Sequence, residues 1–231
     1  MVLNNIYVNF LVDDLARFIK GYGSIISGLS ITIPFKREII KYLDKIDKIT
    51  KKIGAVNTVI KKNGKLIGYN TDMTGAIKAI ESKVKVKAKR VLMIGAGGVA
   101  RAIAYGIINK KGDLIILNRT VSKAKKLARE LRCKAGGLDK LNRLNSIDII
   151  INATSIGMIP KVNRTPISKN ILKKITAKKA VVFDTVYTPI NTKLLKDAKK
   201  LGLNIVNGYD MFIKQAKEQF KLFTGEELKL N

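Results

Sequence analysis

The sequence predicts an α/β fold: a doubly wound parallel sheet with a second, smaller α/β domain on its N-terminal side. Three observations carry that expectation. Residues 91–98 (Val-Leu-Met-Ile-Gly-Ala-Gly-Gly) and 114–120 (Leu-Ile-Ile-Leu-Asn-Arg-Thr) place two apolar runs around a glycine turn and a helical pattern, the spacing of a β-α-β unit. Further apolar runs near 148–152, 180–184 and 204–206 alternate with helical patterns, and such alternation implies parallel strands. The residues before the glycine turn show a βα rhythm of their own.

Taken in order, Tyr7 to Val12 reads as a strand, Asp13 caps a helix running to about Tyr22, and residues 28–33 (Gly-Leu-Ser-Ile-Thr-Ile) read as another strand. Pro34 then opens a helix, where its missing N–H costs nothing because that donor would be unpaired anyway. Asn57–Lys62 and Lys65–Asn70 form two short strands joined by Asn63-Gly64, a pair suited to a tight hairpin turn. A helix from about Met73 to Ser82 leads into the lysine-rich stretch 83–90, which reads as a solvated interdomain connection. The last helix, about Tyr209 to Phe223, ends at Gly225.

The glycine turn points to a nucleotide. Gly95 suits the tight exit from a strand, Gly97 lets the backbone approach a pyrophosphate, and the helix beginning near Gly98 offers unpaired N–H groups to that anion. The plainer alternative is a turn serving chain reversal alone. About 20 positions on, where an NAD site carries an acidic residue for the ribose, this chain has Asn118, Arg119 and Thr120. A carboxylate would repel a 2′-phosphate, whereas a guanidinium grips it through two charge-assisted hydrogen bonds. The expected fold is therefore Rossmann-type, and the expected cofactor is NADP.

Composition removes several other chemistries. The chain has 231 residues, 46% of them hydrophobic, enough for one large or two small domains. It has no histidine and a single cysteine, Cys133, which removes serine–histidine hydrolysis, intramolecular disulfides and the usual zinc ligands, so no metal is expected. Proton transfer falls to Lys, Asp, Glu or Tyr. No apolar run is long enough to span a membrane and no signal-peptide pattern opens the chain, so the expected location is cytoplasmic. The formal charge of +28 raises nucleic acid as a partner. The lysines are spread along the chain, however, and the densest run, Lys83 to Arg90, has no interleaved aromatics for base stacking. No specific nucleic-acid partner is expected; the positive field instead helps gather anionic small molecules.

Three further segments join the glycine turn: Thr32-Ile-Pro-Phe-Lys36, Gly54-Ala-Val-Asn-Thr58 and Gly68-Tyr-Asn-Thr-Asp72. Lys36 lies just beyond a strand at the start of a predicted helix, a place where a lysine can exchange a proton. Asp72 supplies a carboxylate able to orient a reacting hydroxyl, if the fold brings the two segments together. Their plainer roles are a surface cation and a helix cap.

With Asn152-Ala-Thr-Ser155, Tyr187-Thr-Pro189 and Gln215-Ala216, these segments make the chain from about Tyr7 onward resemble the shikimate dehydrogenase family. The resemblance implies a substrate-binding and catalytic domain over 1–86, completed by the C-terminal helix 208–231, and an NADP-binding domain over 87–207. It implies Lys36 as acid/base, Asp72 as its partner, and Thr32, Asn57, Asp72, Tyr187 and Gln215 facing the substrate's ring hydroxyls. Short polar groups suit a polyhydroxylated ring, whose discrimination rests on pairing each buried hydroxyl. For NADP it implies Gly95, Ala96, Gly97, Gly98, Asn118, Arg119, Thr120, Thr154, Ser155 and Gly208. Met158 and Met211 could pack on the nicotinamide, or be plain core. The implied reaction is the reversible reduction of 3-dehydroshikimate to shikimate, in aromatic amino acid (chorismate) biosynthesis, by a monomer or homodimer. The alternatives are a quinate or aminoshikimate dehydrogenase, or a nucleotide-binding remnant without turnover.

One part of the family pattern has no counterpart. Members normally open with a further strand and helix bearing a Ser-x-Ser motif that grips the substrate carboxylate, whereas Ser24, Ser27 and Ser30 stand too late to be those residues. The fold is expected to be shortened at its N-terminal side. Because that strand would be internal to the small sheet, its neighbours require re-pairing, another chain or a longer sequence.

Overall fold

The computed structural model describes residues 6–229 and divides into two compact units, Met1–Thr71 with Ala216–Asn231, and Asp72–Gln215.

In the second unit six strands run parallel: β5 (Arg90–Ile94), β6 (Asp113–Leu117), β7 (Lys134–Gly136), β8 (Ile147–Asn152), β9 (Thr176–Asp184) and β10 (Asn204–Val206). Their order is β10-β9-β8-β5-β6-β7. The chain winds outward from β5 through β6 to β7, then returns to β8 and winds the other way, so the switch point lies between β5 and β8. Alternation decides which face each side chain covers. Val91, Met93, Leu114, Ile116, Ile149, Ile151, Val181 and Phe183 share one core with α3 (Asp72–Glu81), α4 (Gly98–Asn109) and α5 (Val121–Leu131). Leu92, Ile94, Ile115, Leu117, Ile150 and Val182 share the other with α6 (Lys169–Ile175) and α7 (Lys193–Lys200). These are the strands expected from the apolar runs, with β7 added.

The stretch 83–90 departs from expectation. Lys83, Lys85 and Lys87 are exposed, but Val86 is fully buried within the core that holds α3 and α4, so the segment is anchored inside the second unit and does not lie between the two. Helix α3 counts with the second unit for a similar reason, since Ala76, Ile77, Ala79 and Ile80 belong to that core.

The first unit holds a four-stranded sheet, ordered β1 (Gly28–Ser30), β3 (Thr58–Lys62), β4 (Lys65–Tyr69) and β2 (Lys45–Ile46). β3 and β4 form the expected hairpin, with Asn63 at φ 51° and Gly64 at φ 74° making its turn. Helix α1 (Leu15–Tyr22) buries Leu15 beside Ile39, Val56, Val59 and Leu66. Its cap is Asp14, which accepts from Arg17 N–H at 3.1 Å, and not Asp13. Helix α2 (Lys48–Ile53) is capped by Asp47 and closed by Gly54.

Two expectations fail here. Residues 7–12 form no strand, because β-type composition makes a strand only where a neighbour takes up the backbone groups, and none does so among the described residues. Phe10 packs instead against Phe18 and Tyr22 of α1, at 5.2 and 5.7 Å between ring centroids. β1 pairs with β3 on one side only, and Ser30 Oγ is buried with no hydrogen-bond partner among the described residues. The helix expected from Pro34 is a turn followed by a 3-10 helix, Glu38–Tyr42, since Leu43 is already extended and Asp44 N–H bonds to Leu66 O of β4. α8 (Gly208–Thr224) closes the chain as expected, followed by Gly225 at φ 78°. No described helix is long and apolar enough to cross a membrane.

Candidate functional site

In the first unit, the turn that carries Thr32 and Lys36 is stapled at both ends to one short segment. Ile31 N–H donates to Asn57 O at 2.7 Å, and Val56 N–H donates to Lys36 O at 2.7 Å. Thr32 is exposed and its carbonyl accepts from Phe35 N–H at 3.0 Å; Lys36 is half-buried. The α-helical start expected beside Lys36 is absent, and the residues after it form a turn and a 3-10 helix.

Asn57 is the hub of this unit. Its side chain donates to Thr71 Oγ1 at 2.9 Å and accepts from Thr71 N–H at 2.8 Å and from Thr58 Oγ1 at 2.9 Å. Thr71 immediately precedes Asp72. Gln219 of α8, buried, donates to Asn57 O at 3.2 Å and Thr58 Oγ1 at 2.9 Å. Gln219 and Thr71 are not among the residues that the sequence singles out: their only signals are a polar residue within an apolar helical face and a Thr next to Asp72.

The remaining residues lie in the second unit. Asp72 is buried and is the first residue of α3, where a carboxylate complements the helix N-terminus. α3 crosses α8 at Gly75: a Cβ on Gly75 would stand 2.7 Å from Gln215 Cβ and 2.9 Å from Met211 O. Asp72 and Gln215 are thus carried by two helices that touch within one turn of the carboxylate. Gly208 opens α8 against the carbonyls of Thr185 and Val186, which a Cβ there would meet at 2.6 and 2.5 Å. Tyr187, half-exposed, stacks on Phe212 with ring centroids 5.3 Å apart. Met211 is buried in the core, while Met158 is exposed.

Beyond β5, Gly95 adopts φ +122°, and a Cβ would lie 2.5 Å from Ala153 O, so the strand exit admits glycine alone. Ala96 follows, and Gly97 is the N-cap of α4 with no side-chain bond to the free N–H groups of Gly98 and its successors. A Cβ on Gly97 would meet open space. A bare helix start with room before it fits a diphosphate. Asn118, Arg119 and Thr120 follow β6 on the same carboxyl edge of the sheet; Arg119 is exposed, and Asn118 Nδ2 donates to Thr120 O at 2.9 Å. Thr154 and Ser155 follow β8, with Ser155 exposed. Residues 95–98 and 154–155 leave the carboxyl ends of β5 and β8, the strands that flank the switch point, where open α/β sheets bind ligands, and residues 118–120 and Tyr187 leave the same edge one strand further out, after β6 and β9.

A buried polar network lies under the β8 and β9 exits. Asp184 and Asn152, fully buried and paired in register, are joined by a 2.9 Å bond from Asn152 Nδ2 to Asp184 Oδ1. Burial pushes the Asp184 carboxyl up to about 6, against hydrogen bonds from Thr192, Val186 and Asn152 that hold it down. Both residues end apolar runs, which was the only sequence signal of their position. Burial and then Asp113 push the Cys133 thiol up to about 11, away from the thiolate form.

Residues 2–59 match the family model for the shikimate dehydrogenase substrate binding domain, and residues 78–192 match that for shikimate / quinate 5-dehydrogenase. The chain is 45% identical to the shikimate dehydrogenase (NADP(+)) of Methanocaldococcus jannaschii, over 97% of this chain and 83% of that one. It is 42% identical to the chloroplastic bifunctional 3-dehydroquinate dehydratase/shikimate dehydrogenase of Arabidopsis thaliana, over 96% of this chain but 39% of that longer protein. Among solved structures, shikimate 5-dehydrogenase from Thermus thermophilus in complex with NADP(H) and shikimate superposes with a TM-score of 0.84 at 29% identity, covering 95% of this chain and 81% of that one.

Proposed function

The chain belongs to the shikimate dehydrogenase family, and from that premise we propose that it is an NADP-dependent oxidoreductase that interconverts 3-dehydroshikimate and shikimate in the biosynthesis of aromatic amino acids. The observation that carries this reading is that both family halves match one chain, each on the unit that presents the corresponding segments.

When bound, NADPH supplies the hydride that reduces the ring ketone. Lys36 delivers the proton to the carbonyl oxygen as it becomes a hydroxyl, and takes it back in the oxidative direction. Asp72 orients that hydroxyl. Thr32, Asn57, Tyr187 and Gln215 pair with the ring hydroxyls, so an analogue with a missing or added hydroxyl leaves a polar group unmatched. The first turn of α4, with Gly95, Ala96, Gly97 and Gly98, holds the pyrophosphate. Arg119 takes the 2′-phosphate, with Asn118 and Thr120 beside it, and Thr154, Ser155 and Gly208 line the rest of the coenzyme.

On this reading the partners are two small molecules, without specific nucleic acid, and the enzyme works as a monomer or homodimer. A single cysteine fits a cytoplasmic setting. The test is shikimate-dependent formation of reduced nicotinamide, followed by absorbance, with NADP and NAD compared and quinate and aminoshikimate run in parallel. Turnover of shikimate with NADP supports the reading. Preference for quinate moves it to that substrate, and NADPH binding without turnover of any of the three refutes it as an enzyme.

A further inference from the structure

The exits of β8 and β9 carry Thr154, Ser155 and Tyr187, yet none of these is fixed by the sheet ladder itself. Two backbone bonds join the exits, Thr185 N–H to Asn152 O at 3.0 Å and Ile159 N–H to Thr188 O at 3.4 Å, and side chains of the second unit add a further link. Asp184 Oδ1 accepts from Val186 N–H at 3.0 Å and from Asn152 Nδ2 at 2.9 Å, and Asp184 Oδ2 accepts from Thr192 Oγ1 at 2.7 Å. Asn152 in turn reaches the other loop: its Oδ1 accepts from Thr154 N–H at 3.1 Å and Thr154 Oγ1 at 2.6 Å, and its Nδ2 also donates to Ile156 O at 3.1 Å. Thr154 Oγ1 then accepts from Ile156 N–H at 3.1 Å. Both hydrogens of the Asn152 amide and its oxygen are committed, and each bond goes to the β8 exit or to Asp184. Such a closed network, buried at Asn152, Asp184 and Thr192 and half-buried at Thr154, permits few alternative arrangements.

We propose that Asp184 and Asn152 are positioning residues that lock the β8 exit loop to the β9 exit loop, so that the segments assigned to NADPH and to the substrate ring are set together. Neither touches a ligand; they act through Thr154 and Val186, which places them behind the contact residues named under the proposed function and makes the inference rest on that reading. The donors around Asp184 also fix which replacement preserves the lock. An asparagine at 184 keeps an oxygen toward Val186 and Asn152, and turns its NH₂ toward Thr192, whose hydroxyl can accept. An alanine leaves three buried donors with nothing to bond, the costly case.

The experiment compares Asp184→Ala, Asp184→Asn and Thr192→Val with the wild-type enzyme. The readouts are NADPH affinity by fluorescence titration, steady-state KM and kcat, and amide hydrogen exchange at 154, 156 and 186. Asp184→Ala is expected to raise KM for both NADP and shikimate about tenfold and to weaken NADPH binding similarly. Asp184→Asn restores most of that affinity, and Thr192→Val, close in shape to the original, falls between. A merely structural role would reduce the fraction of active enzyme, lowering kcat at unchanged KM. Exchange should quicken at 154, 156 and 186 together in Asp184→Ala, and in Thr192→Val if the alanine variant does not fold. Unchanged exchange at 154 and 156 in a folded variant overturns the lock, as does an unchanged KM. Absence of NADPH binding by the wild-type protein instead overturns the functional reading, and the exchange data still decide the lock.

Discussion

Replacing Asp184 by asparagine removes a buried ionisable group while keeping its shape and its hydrogen bonds, so its effect on stability depends on pH in a direction the structure sets. The folded carboxyl stands at about 6, raised by burial, against about 3.9 in an unfolded chain. Between those values the folded state holds the proton and the unfolded state does not. The group therefore contributes stability that is fully present below the unfolded value and is lost as pH rises through the folded one. Integrated over that window the change is about 3 kcal/mol, of which about 1.4 kcal/mol falls between pH 5 and pH 8. Asparagine has no such dependence. The difference in unfolding free energy between variant and wild type should therefore move in the variant's favour by about 1.4 kcal/mol on going from pH 5 to pH 8. In guanidinium chloride that corresponds to a midpoint shift of about 0.3 M. Paired denaturation curves at the two pH values measure it, because every other titrating group cancels between the proteins. A constant difference, or one that moves in the wild type's favour with rising pH, refutes the assignment of a raised carboxyl at this position.

Lys36→Ala should lower kcat by about a hundred- to ten-thousandfold while leaving the NADPH dissociation constant unchanged, since in the proposed reaction the lysine serves the proton and not the coenzyme; steady-state rates and a fluorescence titration separate the two. Arg119→Ala should weaken NADPH by about ten- to a hundredfold through the loss of charge-assisted bonds, and leave NADH unaffected. Equal use of NADP and NAD by the unaltered protein would contradict the role of that residue. Gly95→Ala sets a Cβ 2.5 Å from Ala153 O at φ +122°, and should cost about 2–3 kcal/mol, read as a fall in melting temperature of about 5–10 °C.

How much of this was legible in the sequence depends on where each constraint resides. β5 and β6 announced themselves because strands buried on both faces are continuous apolar runs, and the turn at Gly95 because a positive φ leaves few residues to choose from. β7 was missed: three residues, Lys134–Gly136, have no pattern to show and owe their conformation to pairing with β6. Tyr7–Val12 failed for the opposite reason, a strand-like run to which no described strand lends backbone partners. The Pro34 segment had a proline that fits a helix start, but the pairing of Asp44 with β4 draws the chain out before an α-helix can form.

The site divides along the same line. Lys36, Asp72 and Asn57 could be chosen because their residue types suit the chemistry, but what holds them could not. Asp72 begins α3, whose next turns bury Ala76 and Ile77 in the core of the second unit, while the residue before it, Thr71, is bound to Asn57 by two hydrogen bonds. The apolar face holds Asp72 within the second unit, the clasp belongs to the first, and neither is a property of Asp72 itself. Asn152 and Asp184 follow the same logic more strongly: each is a polar residue ending an apolar strand, a common arrangement where chains leave a sheet. Only the β8–β9 register, which sets 152 opposite 184, turns two ordinary strand ends into one buried pair. A residue's chemistry can thus be read one position at a time, whereas the shell that aims it depends on which strands become neighbours.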